Sequence, residues 1–416
     1  MNKLKMNQMV NKGYNRRNFI KSAGLGVGAG MLGIHQVCKS AGSMVAPSTS
    51  QVFENTSARV NQKIWTPFSD RKLRVGLVGY GASRFSAAFE FQNHPNVEVV
   101  AVSDLFPDRC AKLAEVTKCS KTYPSLEEMV KDSNIEAIFV ATDAPSHARH
   151  CMEVLNHGKH VACAVPAVFG YDQLEEAEKL FETVKKSGLK YMMFETSMFH
   201  KNHYAMQQIY HTGGFGKLVY AEGEYWSGSP TGKATPSYNN WRVGMPPQWY
   251  PTHSDAYYIG VTGGTFLEVS CLGMPYEKAE SRNNAYNNPF ASEVALHRTS
   301  EGGMARMARC RGTFGYGYGA ETGRVRGTRG SFYEKYEGEE KNLPDLERPA
   351  LPPNVSAGGH GGSHVHLCEE FVRAILLDRK PLVDIALALN MTVGGIVAHQ
   401  SAMKDGEWLK IPQFKL

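Results

Sequence analysis

The chain has 416 residues, 42 % of them hydrophobic and 21 % charged, with a formal net charge of +6. That length can bury more than one core, and the composition excludes a fibrous or low-complexity chain. The mild positive charge gathers in the N-terminal segment and in the arginines of 306–329, so no nucleic-acid partner is expected.

Asn15-Arg16-Arg17-Asn18-Phe19-Ile20-Lys21 precedes an uncharged, glycine-rich, moderately apolar run, Ser22–Val37. An arginine pair before such a run is the pattern of a twin-arginine export signal, and the run is too short for stable membrane insertion. Residues 1–46 are therefore expected to be a signal peptide cleaved near Ala41 to Ala46, with the mature protein periplasmic or otherwise exported. A lipid-modified Cys38 is the alternative. Residues 47–71, polar and without sustained period, read as a linker or an arm laid over the next domain. The eight cysteines have no CxxC pair and no metal-finger spacing, and most sit in apolar stretches, so buried free thiols are expected; Cys110 and Cys119 are the pair that could come within reach.

Leu73–Val78 is an apolar run of strand length. Gly79-Tyr80-Gly81-Ala82-Ser83-Arg84 breaks it, a helical pattern follows through Phe85, Ala88, Phe89 and Gln92, and a second apolar run, Val97–Val102, leads to Asp104. Strand, glycine turn, helix, strand and acid make a nucleotide-binding βαβ unit: glycines admit a pyrophosphate, the helix start offers N–H groups, and the carboxylate accepts from ribose hydroxyls. Arg84 stands where the third glycine of the usual GxGxxG would be. Asp104 favours NAD over NADP by repelling the extra phosphate, and Arg109 softens that preference.

The alternation continues. Strands are predicted at Ile135–Ala141, His160–Val165 and Leu189–Glu195, and helices at His147–His157 and Tyr171–Ser187. The expectation is an α/β Rossmann domain with a doubly wound parallel sheet over 72–196, its ligands beyond the strand C-termini: Gly79–Arg84, Asp104, Thr142–Pro145, Val165, Pro166 and Glu195. From Ser197 the pattern changes to a helix, Asn202–His211, then strands at Lys217–Trp226, Thr265–Cys271, Ser292–Thr299, Gly303–Arg311 and Arg324–Tyr336, then helices at Ser363–Leu377 and Ile385–Met403. This predicts an α+β domain over 197–416 with a largely antiparallel sheet. Aromatic residues crowd Tyr220–Tyr258, a density that suits a sugar site or a sheet core equally.

Val75–Gly81, Ile138–His147, the run Gly158-Lys159-His160-Val161-Ala162-Cys163-Ala164-Val165-Pro166, and Phe215-Gly216-Lys217-Leu218 come in the order found in the Gfo/Idh/MocA oxidoreductases, which the chain resembles over about 72–416. The resemblance implies NAD as cofactor, a carbohydrate substrate, an open-faced second sheet and a homo-oligomer, dimer or tetramer. It also implies that Thr142, His147, Val165 and Pro166 join the cofactor site. Most of that superfamily has Glu-Lys-Pro where this chain has Ala164-Val165-Pro166, and valine cannot move a proton. An exported branch with Glu-Val-Pro, the NAD-dependent N-acetylgalactosaminidases, is similar at Tyr250-Pro251-Thr252-His253 and Gly359-His360-Gly361-Gly362. That branch's Glu is Ala164 here, and its tyrosine falls on Phe199.

Hydride transfer from a carbinol needs a base for the hydroxyl proton, and histidine suits that role near neutrality. His253 is the expected base, with Tyr250 as a donor to a sugar oxygen or a relay. A histidine that merely caps the following helix is the competing reading of His253. Asp255 could orient His253. Trp249, His360 and Glu195 are expected at the substrate, Glu195 alternatively at the nicotinamide ribose. Ser363 should cap the next helix, with His366 and Glu369 on its surface. No metal is expected, because His360, His364 and His366 lack a carboxylate until Glu369. Three functions follow: an exported NAD-dependent oxidoreductase of a sugar or glycoside, a redox-neutral NAD-dependent glycoside hydrolase, or a catalytically silent sugar- or nucleotide-binding protein.

Overall fold

The computed structural model describes residues 63–81, 84–227, 237–311 and 321–416. The segment expected to direct export and the turn residues Ala82 and Ser83 lie outside the described residues.

Five short, largely apolar runs and the edge dipeptide Thr122–Tyr123 form a parallel sheet: β1 (Leu73–Val78), β2 (Val97–Ser103), β3 (Thr122–Tyr123), β4 (Ala137–Val140), β5 (His160–Cys163) and β6 (Tyr191–Met193). Their order, β3-β2-β1-β4-β5-β6, reverses at β1, which opens a crevice beyond the strand ends where α/β sheets bind ligands. Covering helices are α1 (Pro107–Thr117), α2 (Leu126–Met129), α3 (His147–Asn156) and α4 (Gln173–Ser187). Burial on both faces explains the unbroken apolar runs: every residue of β4 is inaccessible.

The helix expected over 85–92 does not form as one. Phe85–Phe89 and Phe91–Asn93 are two 3₁₀ turns joined at Glu90, whose φ is 61°. The break lets Phe89 and Phe91, two residues apart, both enter one aromatic cluster with Phe139 and Phe194. On a continuous α-helix they would point to nearly opposite sides.

After α5 (Lys201–His211) the chain builds an eight-stranded sheet, β13-β12-β11-β7-β10-β9-β8-β14. Its strands are β7 (Leu218–Ser227), β8 (Phe266–Pro275), β9 (Phe290–Thr299), β10 (Met304–Arg311), β11 (Glu321–Gly327), β12 (Gly330–Tyr333), β13 (Lys335–Gly338) and β14 (Leu409–Lys410). Only β7 with β10 is parallel. The single strand expected at Arg324–Tyr336 is instead parts of β11, β12 and β13, with a turn at Glu334, φ 66°.

Helix α6 (Thr252–Thr262) presses onto this sheet. Paired glycines permit the approach: Gly223 of β7 faces Gly323 of β11, and a Cβ on Gly223 would stand 2.0 Å from Ser254 O, one on Gly323 2.2 Å from the Tyr257 ring. That contact seats His253, at the start of α6, beside β11.

Two C-terminal helices, α7 (His364–Leu376) and α8 (Ile385–Ala402), complete the fold. Helix α8 is long and apolar enough to cross a bilayer, yet 89 % of that stretch is buried inside the protein. Ser363 does not cap α7 with its side chain, and His366 and Glu369 are buried rather than on the surface. Glu369 is consumed by His94, Arg373 and Trp65, so the described part of the arm is pinned through the Trp65 indole to α7. The seven described cysteines are buried free thiols, Cys110 and Cys119 among them.

Candidate active site

The cofactor edge is built at the ends of β1, β2, β4 and β5. Gly79 has φ 90° and Gly81 φ 60°, values that favour glycine, and a Cβ on Gly79 would meet Ala141 O at 2.3 Å. No atom of the described residues lies within 4 Å of a Cβ built on Gly81, so among them this side of the turn leaves room for a ligand. Asp104 closes β2 as expected, but its carboxylate first serves the turn. Oδ2 accepts from Tyr80 N at 2.8 Å and Gly81 N at 3.0 Å, and Oδ1 from Phe106 N at 2.9 Å. A ribose hydroxyl would use the lone pair left on Oδ1. Arg84 is exposed at φ 57°. His147 is buried between Pro166 O, 2.8 Å from Nδ1, and Thr142 O, 3.2 Å from Nε2, while Val165 and Pro166 are buried at the end of β5. Burial holds His147 below its ordinary pKa, so it is neutral and donates through one nitrogen. The open turn, the acid behind it and the converging strand ends fit a dinucleotide.

Beside that edge, His253 is 3 % exposed. Its Nδ1 lies 2.7 Å from Glu195 Oε1, 3.5 Å from Thr196 Oγ1 and 3.7 Å from Glu321 Oε2. Nε2 has no hydrogen-bond partner among the described residues. Burial alone would pull His253 down, but the charges of Glu195 and Glu321 outweigh it and raise its pKa. Glu195 is fully buried; desolvation would raise its pKa, and the imidazolium, with the Ser197 amide at 2.9 Å, holds it low instead. Glu321, near the start of β11, also accepts from Ser197 Oγ at 3.0 Å and lies 3.4 Å from His200 Nε2. Ligand atoms of Glu195, His253 and Glu321 all lie within 4.8 Å of one another, a spacing that would also hold a cation, although no metal was expected.

Tyr225 and Tyr250 frame His253, with ring centroids 4.5 and 5.6 Å away. His360 reaches the cluster's rim. Its Nδ1 lies 2.7 Å from His364 Nε2 and its ring 6.3 Å from Phe85 beside the cofactor turn. Arg348, which donates to Phe199 O and to Gly361 O, ties that glycine loop to the segment bearing His200.

A model of the oxidoreductase family with an NAD-binding Rossmann fold matches residues 73–195. This domain belongs to the Gfo/Idh/MocA family. Beyond it, the chain is 23 % identical over 395 residues to a glycosyl hydrolase family 109 protein of Streptomyces niveus, covering 84 % of this chain and 78 % of that protein. A glycosyl hydrolase family 109 protein of Porphyromonas gingivalis is 28 % identical over 162 residues, and there the match spans about a third of the relative, 37 % of this chain and 34 % of that one. The fold is that of a levoglucosan dehydrogenase solved with NADH and levoglucosan, with a TM-score of 0.68, 17 % identity, and 83 % and 100 % of the two chains covered. Residues 73–195 are thus an NAD-binding Rossmann domain of the Gfo/Idh/MocA oxidoreductase family, set in a chain that shares the fold of that dehydrogenase.

Against that frame three expected roles change. Glu195 is too deeply buried to touch substrate or ribose and orients His253 instead. Asp255 does not orient it: Oδ1 accepts from Ser254 Oγ at 3.4 Å, Oδ2 is buried without a hydrogen-bond partner among the described residues, and burial pushes the pKa far up. Trp249 meets Phe169, Tyr171, Tyr286 and His399 edge to face and is 4 % exposed, so it packs the core rather than presenting a face to a sugar. Sequence reading missed Glu321 and His200. Glu321 arrives from a strand paired with β7, far along the chain, with no motif around it.

Proposed function

We propose that this protein is an exported, NAD-dependent oxidoreductase that oxidises a carbinol of a sugar or glycoside, with His253 as general base. The observation that carries the reading is the buried Glu195–His253 pair, 2.7 Å apart, beside the cofactor edge. Glu195 holds the Nδ1 proton, which leaves Nε2 as the acceptor for a substrate hydroxyl. NAD, when bound, supplies the hydride acceptor. The carbinol loses its C–H hydride and its O–H proton, the proton goes to His253, and the imidazolium is stabilised by Glu195 and Glu321. Val165, where a lysine is usual, takes no part in proton transfer, so His253 carries that step with Tyr250 as the neighbouring hydroxyl.

The relatives' names favour a second reading, a redox-neutral glycoside hydrolase in which oxidation of a ring hydroxyl acidifies the neighbouring C–H, the aglycone is eliminated, water adds and the ketone is reduced again. Export supports such a cycle, because no free NAD pool is expected outside the cytoplasm; the segment Asn15–Val37 supports export. A homo-oligomer is supported by an exposed apolar stripe on the second sheet, where Leu272 of β8 lies opposite Val294 of β9, at 65 % and 39 % exposure. The deciding experiment is one turnover of the NAD-retaining protein on a glycoside panel. Stoichiometric NADH with a ketone product is the expected result. Aglycone release with only transient NADH would assign the hydrolase, and neither signal would leave a silent binding protein.

A further inference from the structure

The surroundings of His253 are electrically lopsided. Its Nδ1 edge faces Glu195 and Glu321, whereas guanidinium groups lie over the aromatic rings that frame it. Arg309 Cζ sits 4.0 Å over the Tyr225 ring, and Arg242 Cζ 5.3 Å over the Tyr250 ring and 4.2 Å over Trp241. Arg311, at the end of β10, donates to Arg242 O at 3.3 Å. Arg309 and Arg242 thus each lie over a ring that frames the base, and Arg311 adjoins Arg242.

Three other arginines of the second sheet are matched to acids, while Arg326 of β11 is exposed to solvent. Arg306 pairs with Glu222 and Glu224, Arg324 with Glu222, and Arg298 with Glu268. Neither Arg242 nor Arg311 forms an ion pair with a carboxylate among the described residues. Burial, then Arg309 and Arg242, hold Arg311 down to about 10. Like charges brought together in a partly desolvated place cost free energy unless something compensates them, and an aromatic face compensates only in part. The guanidinium fork is the group that matches a planar oxyanion with two parallel hydrogen bonds.

We propose that the substrate is an acidic sugar, carrying a carboxylate or sulfate ester that Arg242 and Arg311 bind while its carbinol lies at His253. The proposal rests on the reading of His253 as the base, and it adds the charge class of the substrate. The anion neutralises the arginine group and fixes which hydroxyl reaches Nε2. A positive group beside the base also raises the capture rate of an acidic ligand at low salt.

The test is calorimetric binding to the NAD-loaded protein of matched sugars: glucose with glucuronate and glucose 6-sulfate, and galactose with galacturonate and galactose 6-sulfate. At least one acidic member should bind about tenfold or more tighter than its neutral counterpart, the worth of a charge-assisted hydrogen bond, and the difference should shrink with salt. The carboxylate and sulfate arms distinguish which anion is used. Arg242→Gln with Arg311→Gln should abolish the difference, and Arg242→Lys should keep part of it; retained NAD certifies that each variant is folded. Acidic members that bind no better than neutral ones in every pair overturn the proposal, as does a preference unchanged in the double variant. If acidic sugars are preferred but none yields NADH or free aglycone, the hydride-transfer reading fails while the charge preference stands.

Discussion

Glu195 gives the sharpest prediction among single side chains, because it acts on His253 without reach to the substrate. A base with a raised pKa gives an activity that climbs with pH, through an apparent value above the ordinary 6.5 of histidine. Glu195→Gln removes the charge that favours the imidazolium, so that limb should move to lower pH and kcat should fall more than KM rises. A pH–rate profile whose limb stays in place would mean that Glu195 only packs. The same pair makes a stability statement. Glu195, lowered on folding, stabilises above the unfolded glutamate pKa of 4.5, and its contribution is lost as pH falls through the folded value. His253, raised on folding, stabilises below 6.5, and its contribution is lost as pH climbs through the folded value. Both terms are present together between those two pKa values, where thermal melts of wild type and Glu195→Gln should differ most. Asp104 yields a second prediction. Its carboxylate holds the Tyr80 and Gly81 amides, so Asp104→Ala should weaken NAD binding by about 1–3 kcal/mol, through a loosened turn as well as a lost ribose contact. Calorimetric titration with NAD would show it, and unchanged affinity would remove Asp104 from the site.

At the scale of elements, the packing of α6 on the second sheet decides where His253 stands. Gly223→Ala places a methyl against Ser254 O with no flexible group to yield, so it should destabilise the fold by about 1–3 kcal/mol and depress turnover by displacing α6. A denaturant melt and an activity assay read both effects; a neutral melt would show that α6 can lift freely. This dependence also explains what was legible in the sequence and what was not. The parallel sheet was readable because its strands are buried on both faces and appear as uninterrupted apolar runs ending in ligand-bearing turns, and Val75–Gly81 with Asp104 located the cofactor edge. The 3₁₀ turns at 85–93 were not, since local spacing fits an α-helix and only the shared aromatic cluster of Phe89 and Phe91 demands the break at Glu90. His253 and Tyr250 stand out through their local motif, whereas Glu321 reaches them only through the register of β11 on β7, which pairs residues far apart in sequence. Trp249 and Asp255 read as functional because they flank His253 in the chain, yet neighbours on a helix start point different ways, and both turn into the core.

For the molecule as a whole, two sheets meet at one functional seam: the parallel sheet supplies the cofactor turn and Glu195, the second sheet supplies Glu321, Arg309, Arg311 and the support for α6, and the loop before α6 supplies Arg242. The outer face of the second sheet leaves Leu272, Met274, Val294 and Leu296 substantially exposed, a patch that a second copy would cover. Light scattering should therefore report a dimer or larger, and Leu272→Glu with Val294→Glu should shift it to monomer without loss of bound NAD; a monomeric wild type would contradict this. Arg16→Lys with Arg17→Lys should leave folded precursor in the cytoplasm, and fractionation after expression would detect normal secretion if the segment has another role. Glu195 Oε1 and His253 Nδ1 are engaged with each other at 2.7 Å, so prolonged chelation should leave activity intact; a loss restored by a divalent ion would reassign the cluster with Glu321 as a metal site. If His253 takes the proton, the most direct measurement is single-turnover NADH formation by His253→Ala holoenzyme beside wild type on the same glycoside. The expected result is retained NAD with hydride transfer slowed by about 10²–10⁴-fold, the usual worth of a positioned base. Hydride transfer at the wild-type rate in that variant would contradict it.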